Sequence, residues 1–600
     1  MNYRIRRFCF ISLLLILTGF RPLAAQEYVG GLITENTVYT PALNPYIVIE
    51  SLIVPEGVTL TIMPGTQLYF MIRTSLRIEG GTLLAGGTPD NQILFDSHNP
   101  SGDTDKKWDG INIFVSRTIA DDEGNYLGGN LLSHVLIRQT TTALVLSDTA
   151  LIHAPDIQIM NSDYGVYLQS GASLVLKNSI IDACSYGMYI KNSGDNIISG
   201  CQVTNCDIGI FFPSNNISRN NRITDNNLSF NRNIALFMSI GQGNIQHNLI
   251  SGNTVAFNNI GLHIGNGGNN DPGLNSISNN IIRNNDIGLK LSQDADTIRD
   301  NLIELNETGL MLSKAAISSI EGNTIRQNTG WGMLMTDGSN NNLITGNNIY
   351  DNAAGIRVTH KDFKYSVNNR FEYNMVSGNA EEAFLFEAGP QLGIHNNSIQ
   401  GVRDTAVFVN RFETDLHAEG NYWFTNDTLV IDSLIFDVYD QPVLGEVIYK
   451  PFLYQPDPVA PVSRPRMVVK RQVGPDVLVN WLPNSESDLA GYKVYYGLNP
   501  DGSFSQIADA GSDTLFVISA YDLAETIAVT AYDTDADGIR DQVEGHESAF
   551  SYAVAGPWAG GDASICEDTY FLTESATAID YQSLFWETDG DGAFVNPQAL

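Results

Sequence analysis

An all-β, right-handed parallel β-helix is the fold this sequence predicts, on three observations. Between about residues 140 and 410 the chain repeats one unit: NIIRNNDIGLKL (280–291), NLIELNETGLML (301–312), NTIRQNTGWGMLM (323–335) and NNIYDNAAGIRV (347–358). Within each unit apolar and polar residues alternate, a spacing of two that belongs to strands and not to helices. The small residue opening the last strand recurs at Ala143, Gly165, Gly187, Gly209, Ala235, Gly261, Gly288, Gly309, Gly332, Gly355, Ala383 and Ala406, mostly 21 to 23 residues apart with a few intervals of 26–28. A propeller blade needs about 40–45 residues, twice that period.

Each unit therefore reads as three short strands with polar corners. An upstream Asn or Asp, as at Asn275, Asp296 and Asn342, marks the corner before the first strand. Strands this short cannot bury a face alone, but coils stacked at about 4.8 Å per rung enclose one apolar core between three parallel sheets. Corner asparagines then fall above one another, where their amides bond along the axis and satisfy the turning backbone. The recurrent glycine is expected where the corner demands a positive φ or a close approach of backbone.

The rod needs covered ends. Residues 31–70, which alternate strongly and are broken by Pro55-Glu56-Gly57 and Pro64-Gly65, are the candidate N-terminal cap, and 421–453, with bulky Tyr422, Trp423, Phe424 and Phe436, the C-terminal one. Ahead of the rod, MNYRIRR, an apolar run and RPLAAQ have the layout of a secretory signal, residues 1–25, cleaved near Ala25. No later segment has the roughly 20 apolar residues of a membrane span, so the expectation is a secreted or cell-surface protein. The net charge of −34 repels phosphate backbones and argues against nucleic acid as a partner. Four cysteines after the signal (Cys184, Cys201, Cys206 and Cys566) are too few for a disulfide scaffold. Cys201 and Cys206 fill the two Asn positions of their coil and Cys184 lies one coil earlier; they read as small interior residues, with a disulfide between coils or a metal site as alternatives.

The phrases GVTLTIMPGTQLYF, GTLLAGGTPDNQILFDS, WDGINI, NYW and IYKPFL together resemble the bacterial secreted right-handed β-helix proteins, of the carbohydrate-binding and sugar-hydrolase and the NosD-like repeat classes. The resemblance covers the 27–455 domain. It implies the fold and leaves the activity open, since the class holds hydrolases, lyases, epimerases, binders and adhesins. A Pro-rich linker, 456–465, follows. Residues 466–555, with Trp481 and Tyr492 as core aromatics, resemble a fibronectin type III sandwich. Residues 556–600 place Cys566 twenty residues before Trp586 and look like the first half of an immunoglobulin-like domain whose remainder lies beyond Leu600.

Three segments carry candidate chemistry. In DTDADGIRDQVE (533–544), Asp533, Asp535, Asp537, Asp541 and Glu544 have the spacing of a calcium loop, with Gly538 at its sharp turn, so Ca²⁺ is the cofactor the sequence suggests. An acidic surface loop is the plainer reading. RVTHKDFKY (357–365) gathers Arg357, His360, Lys361 and Lys364 where a coil lengthens, as a projecting loop able to hold an acidic sugar or as a merely solvated one. HIGNGGNNDPGLNS (263–276) is a second long insertion. Catalytic residues are not assignable, because a facing carboxylate pair cannot be chosen among many exposed acids. The expected function is presentation of a rigid face to a polysaccharide or cell-surface glycan. The alternatives are a polysaccharide lyase or hydrolase with its site on a lateral face, and a structural stalk or adhesin. A binding face would carry an aromatic strip, an enzyme would converge Lys, Arg or carboxylates across neighbouring coils, and a stalk would show neither.

Overall fold

The computed structural model describes residues 26–555 apart from 100–104, 117, 215, 240–243, 266–271, 388–391 and 402–406. The signal-like segment 1–25 and the segment 556–600, with Cys566, lie outside the described residues. From Glu27 to about residue 450 the chain winds as a parallel β-solenoid. Its first sheet has 15 strands, and 31 strands make up the other two. Those two are joined at the N-terminal end by Tyr46–Pro55, whose first half pairs with Gln67–Phe70 and second half with Leu76–Glu79. One coil shows the plan: Ser276–Ser278 lies in the first sheet, Ile281–Arg283 in the second and Ile287–Leu291 in the third. Each pairs in parallel register with its counterparts one rung away.

The interior is one apolar column. Ile277, Ile282, Leu289 and Leu291 are fully buried, as are their counterparts Ile298, Ile303, Leu310 and Leu312 one rung on. Corners are closed by three asparagine ladders. Between the first and second sheets each Nδ2 donates to the Oδ1 of the next rung at 2.9–3.0 Å from Asn226 to Asn421. Between the second and third sheets the same chain runs at 2.8–3.2 Å from Asn231 to Asn379. The ladder before the first sheet starts at Asn196 and is interrupted by Asp296 and Ser318. Cys201 and Cys206 hold ladder positions as expected: their backbone N–H groups donate to Asn226 and Asn231, and both thiols, like that of Cys184, are buried and free.

The recurrent glycines take only one of their two expected roles. Gly165, Gly187, Gly209 and Gly288 do not have positive φ; a Cβ on Gly187 would stand 2.5 Å from Gly209 O. The left-handed residues are those just before the ladder asparagines, such as Asn279, Asn284, Asp300 and Leu305, with φ of 54–58°. Residues 37–70 form ordinary rungs in place of a separate cap: Thr37–Tyr39 pairs with Thr59–Ile62, and Asn36 and Asn44 accept Thr59 N–H and Gln67 N–H as corner residues do. At the far end a short helix, Thr428–Ser433, Tyr449 and the buried Trp423 close the core, Trp423 standing edge-on to Phe408 at 5.7 Å. Phe424 and Phe436 are only half-buried there.

After the linker two four-stranded sheets face each other. One runs Leu515–Ile518, Asp476–Leu482, Arg466–Val473, Val554–Ala555; the other runs Phe504–Gly511, Leu489–Leu498, Ile527–Asp533, Ser551–Tyr552. Trp481 and Tyr492 meet in its core at 5.3 Å. This sandwich lies on the second sheet of the rod. Arg540 donates to Asn279 O and Asp300 O, Thr324 Oγ1 donates to the Gln542 and Val543 carbonyls, and Arg464 pairs with Asp351 at 2.9 Å over the Tyr350 ring. Beneath it Arg326 bridges Glu304 and Tyr350 OH, and Asn348–Tyr350 and Met375–Ser377 are buried on both sides.

Candidate functional site

Two of the three lateral faces are partly covered. The sandwich takes the second sheet from about residue 300 on. The hairpin Ile119–Ala120/Tyr126–Gly128 crosses the first: Gly124 O bonds His153 Nε2 at 3.1 Å, and Glu123 O accepts Lys177 Nζ at 2.9 Å. The third sheet keeps its outer side half-exposed along most of its length.

Its strands share the burial order half-exposed, buried, buried, half-exposed, buried: the first residue stands at the corner, the glycine lies against the rung below, and alternation sets the rest. Each rung therefore presents two side chains outward. The column nearer the corner reads Tyr164, Tyr186, Ile208, Ile234, Ile260, Ile287, Thr308; the next reads Tyr167, Tyr189, Phe211, Phe237, His263, Lys290, Met311. Rings stack from rung to rung: Tyr167 on Tyr189 at 4.9 Å, Phe211 on Phe237 at 5.4 Å and Phe237 on His263 at 4.6 Å. Tyr164 stacks on Tyr186 at 5.1 Å and stands edge-on to Tyr167. Parallel rings at such separations exceed carbon contact distance, about 3.5–4 Å, so they are offset and part of each face stays open.

Below the rings the strip turns basic. Burial lowers the His263 imidazole to about 4, helped by the Lys290 charge, so it is neutral at physiological pH. Burial, then the charges of Lys361 and Lys314, lower the Lys290 ammonium, with Asp337 opposing. Lys314 pairs with Asp337 at 3.6 Å. The loop carrying Lys361 and Lys364 folds back over this turn. Lys364 N–H donates to Lys361 O at 2.9 Å around left-handed Asp362 and Phe363, and the Lys364 stem lies against Gly338.

Of the basic residues singled out from sequence, Arg357 does lie on the third sheet, but its guanidinium is tied to Glu387 at 2.6 Å and rests over Trp331. His360 packs on Tyr365 at 5.0 Å. Lys361 alone of the four is placed where its charge bears on the strip. In the acidic loop, Asp541 accepts Asp537 N–H and Gly538 N–H and faces Lys493, Asp533 holds His546 at 3.0 Å, and the Arg540 guanidinium with the Gln542 and Val543 carbonyls grips the rod. Among the described residues no three His, Cys, Asp or Glu side chains gather closely enough to hold a metal ion.

Sequence reasoning passed over the ring columns. Their signal was present in YGVYL, YGMYI, IGIFF, IALFM, IGLHI and IGLKL, where the residues just before and two after the third strand's second position point out.

Two family descriptions match the chain. "Right handed beta helix region" covers residues 132–275. This is a right-handed β-helix repeat protein. "Periplasmic copper-binding protein (NosD)" covers residues 241–428, also less than half of the chain. No curated protein matches. Among solved structures, the β-helix repeat protein is similar to the periplasmic alginate epimerase AlgG (13% identity, 61% of this chain and 83% of that one, TM-score 0.32). It is also similar to a mutant tailspike protein of E. coli bacteriophage HK620 in complex with a pentasaccharide (10% identity, 85% of each chain, TM-score 0.34). The pectate lyase Pel9A is a third (13% identity, 57% and 72%, TM-score 0.25). Likenesses this loose carry no argument about this chain. No helix among the β-helix protein's described residues is long and apolar enough to cross a membrane.

Proposed function

We propose that this β-helix protein is exported and binds glycan along its third sheet, holding the polymer without cleaving it. One observation carries the reading: half-exposed Tyr and Phe rings form continuous columns along the rod axis, on the face left open by the sandwich and the hairpin. Pyranose C–H faces pack on offset rings, and tyrosine hydroxyls supply hydrogen bonds beside them. A contiguous apolar strip on a soluble surface otherwise invites association. The basic n-region and small-residue cleavage site within residues 1–25 support export. The sandwich, read as fibronectin type III-like, serves as a docked spacer.

Titration of the full chain with neutral and acidic oligosaccharides, followed calorimetrically, tests this. Tyr189→Ala and Phe211→Ala should each weaken binding by about tenfold, since an aromatic contact is worth on the order of 1 kcal/mol beyond area burial. Phe257→Ala, on an exposed corner stack outside the two columns, should leave it unchanged. Equal affinity in all three variants sinks the assignment of the face. New reducing ends or unsaturated products would show an enzyme in place of a binder.

A further inference from the structure

The glycan face carries a discriminating end. Resting on the glycan-binding reading above, we infer that the polymer bound there is anionic, with a carboxylate or sulfate ester seated among Lys290, Lys314 and Lys361 while its less charged part runs over the rings. Three observations lead to this.

The first is charge economy. The chain has 33 basic residues against 67 acidic ones, yet three lysines from separate rungs converge here with Asp337 as the acid beside them. Lys290 and Lys361 have no ion-pair partner among the described residues, and their mutual repulsion is a standing cost that a bound anion removes.

The second is placement. Lys290 continues the ring column directly, in register with His263 above it and Met311 below. A chain lying along the rings therefore meets the ammonium without turning. Lys361 comes from a loop inserted between third-sheet and first-sheet strands, folded back toward the rung of Asp337, so it is added to the repeat's Lys290 by an insertion.

The third is contrast with the neighbouring cations. Arg326 is satisfied by Glu304 and Tyr350, and Arg357 by Glu387. These arginines are structural; Lys290 and Lys361 are left available. Half-burial strips part of the water from Lys290, which strengthens its attraction for an incoming anion relative to a fully solvated lysine.

Binding of the full chain to three probes of similar length decides it: oligogalacturonate (carboxylated), a dextran sulfate oligomer (sulfated) and cellohexaose (neutral). Wild type should prefer at least one anionic probe over cellohexaose by tenfold or more. That preference should fade as NaCl rises, while any neutral binding holds. Lys290→Gln with Lys361→Gln should erase the preference, and Lys361→Glu alone should reduce it. The ratio between the two anionic probes tells carboxylate from sulfate. A preference surviving the double variant, or equal affinity for neutral and anionic probes, overturns the anionic site alone. Binding of none of the three, or binding indifferent to Tyr189→Ala, overturns the parent reading and this one with it. Unchanged melting of each variant shows that a lost preference is not lost folding.

Discussion

At the scale of single residues the ladders explain both the regularity and a weak rung. Asp296 stands where the pattern wants Asn. Its Oδ1 accepts Asn275 N–H and Nδ2, but its buried Oδ2 has no partner among the described residues. Burial pushes its carboxyl up to about 7. In the unfolded chain the group titrates near ~3.9. Between those values the folded protein keeps a proton that the unfolded one has released. Stability therefore falls as pH rises from about 4 to about 7 and then levels off, by at most about 4 kcal/mol. Asp296→Asn should raise the melting temperature most above pH 7 and progressively less towards pH 4. A gain independent of pH would mean that the carboxyl is not the source.

At the scale of the strand and its corner, the glycine of the third sheet is a spacing device. A Cβ on Gly187 would meet Gly209 O at 2.5 Å and Val203 Cγ1 at 2.7 Å. Gly187→Ala should cost about 1–3 kcal/mol by forcing the rungs apart, seen as faster hydrogen exchange confined to Tyr186–Ile190 and Ile208–Phe212. Ala235 shows that some rungs accept the methyl, so the penalty should be local and not global. The coil was legible because its information is local: Asn, Ile and Gly recur at fixed phase, and each says where its own side chain goes. The ring columns were legible in principle, since every ring lies at one phase of the repeat. They become a surface only when rungs some 22 residues apart are known to superpose. Lys361 was singled out from the sequence, but its meeting with Lys290 and Lys314 was beyond such reading. They sit at different phases, and what unites them is the path of one inserted loop. Arg357 illustrates the converse: its phase put it on the right face, but its partner Glu387 lies thirty residues on. The acidic loop was visible as a motif, yet its grip on the rod through Arg540 depends on a docking that no local pattern encodes.

At the scale of the whole molecule the sandwich acts as a cover as well as a module. Arg464 and Arg540 tie it to the second sheet, and the Glu304–Arg326 pair beneath is desolvated by that contact. Breaking a buried pair is far costlier than never having formed it. Removing both ties, with Arg464→Ala and Arg540→Ala, should loosen the sandwich without unfolding either part. Exchange should rise at Asn348–Tyr350 and Met375–Ser377 while the first and third sheets stay protected. Unchanged protection there would mean that apolar contact alone holds the two together.

The ladders also have a direction. Asn280 sends both its backbone and its side-chain N–H to the Oδ1 of Asn301, and Asn301 does the same to Asn323. No turn of the tube is complete, then, until its successor has been laid down. A chain emerging from its amino end always carries a leading edge of unanswered corner donors, and these are met in sequence until Asn397 finds Asn421 beside the Trp423 plug. Synthesis halted anywhere along the ladder would leave that edge open to the first strand of another molecule, so the closing segment is what keeps the finished rods apart.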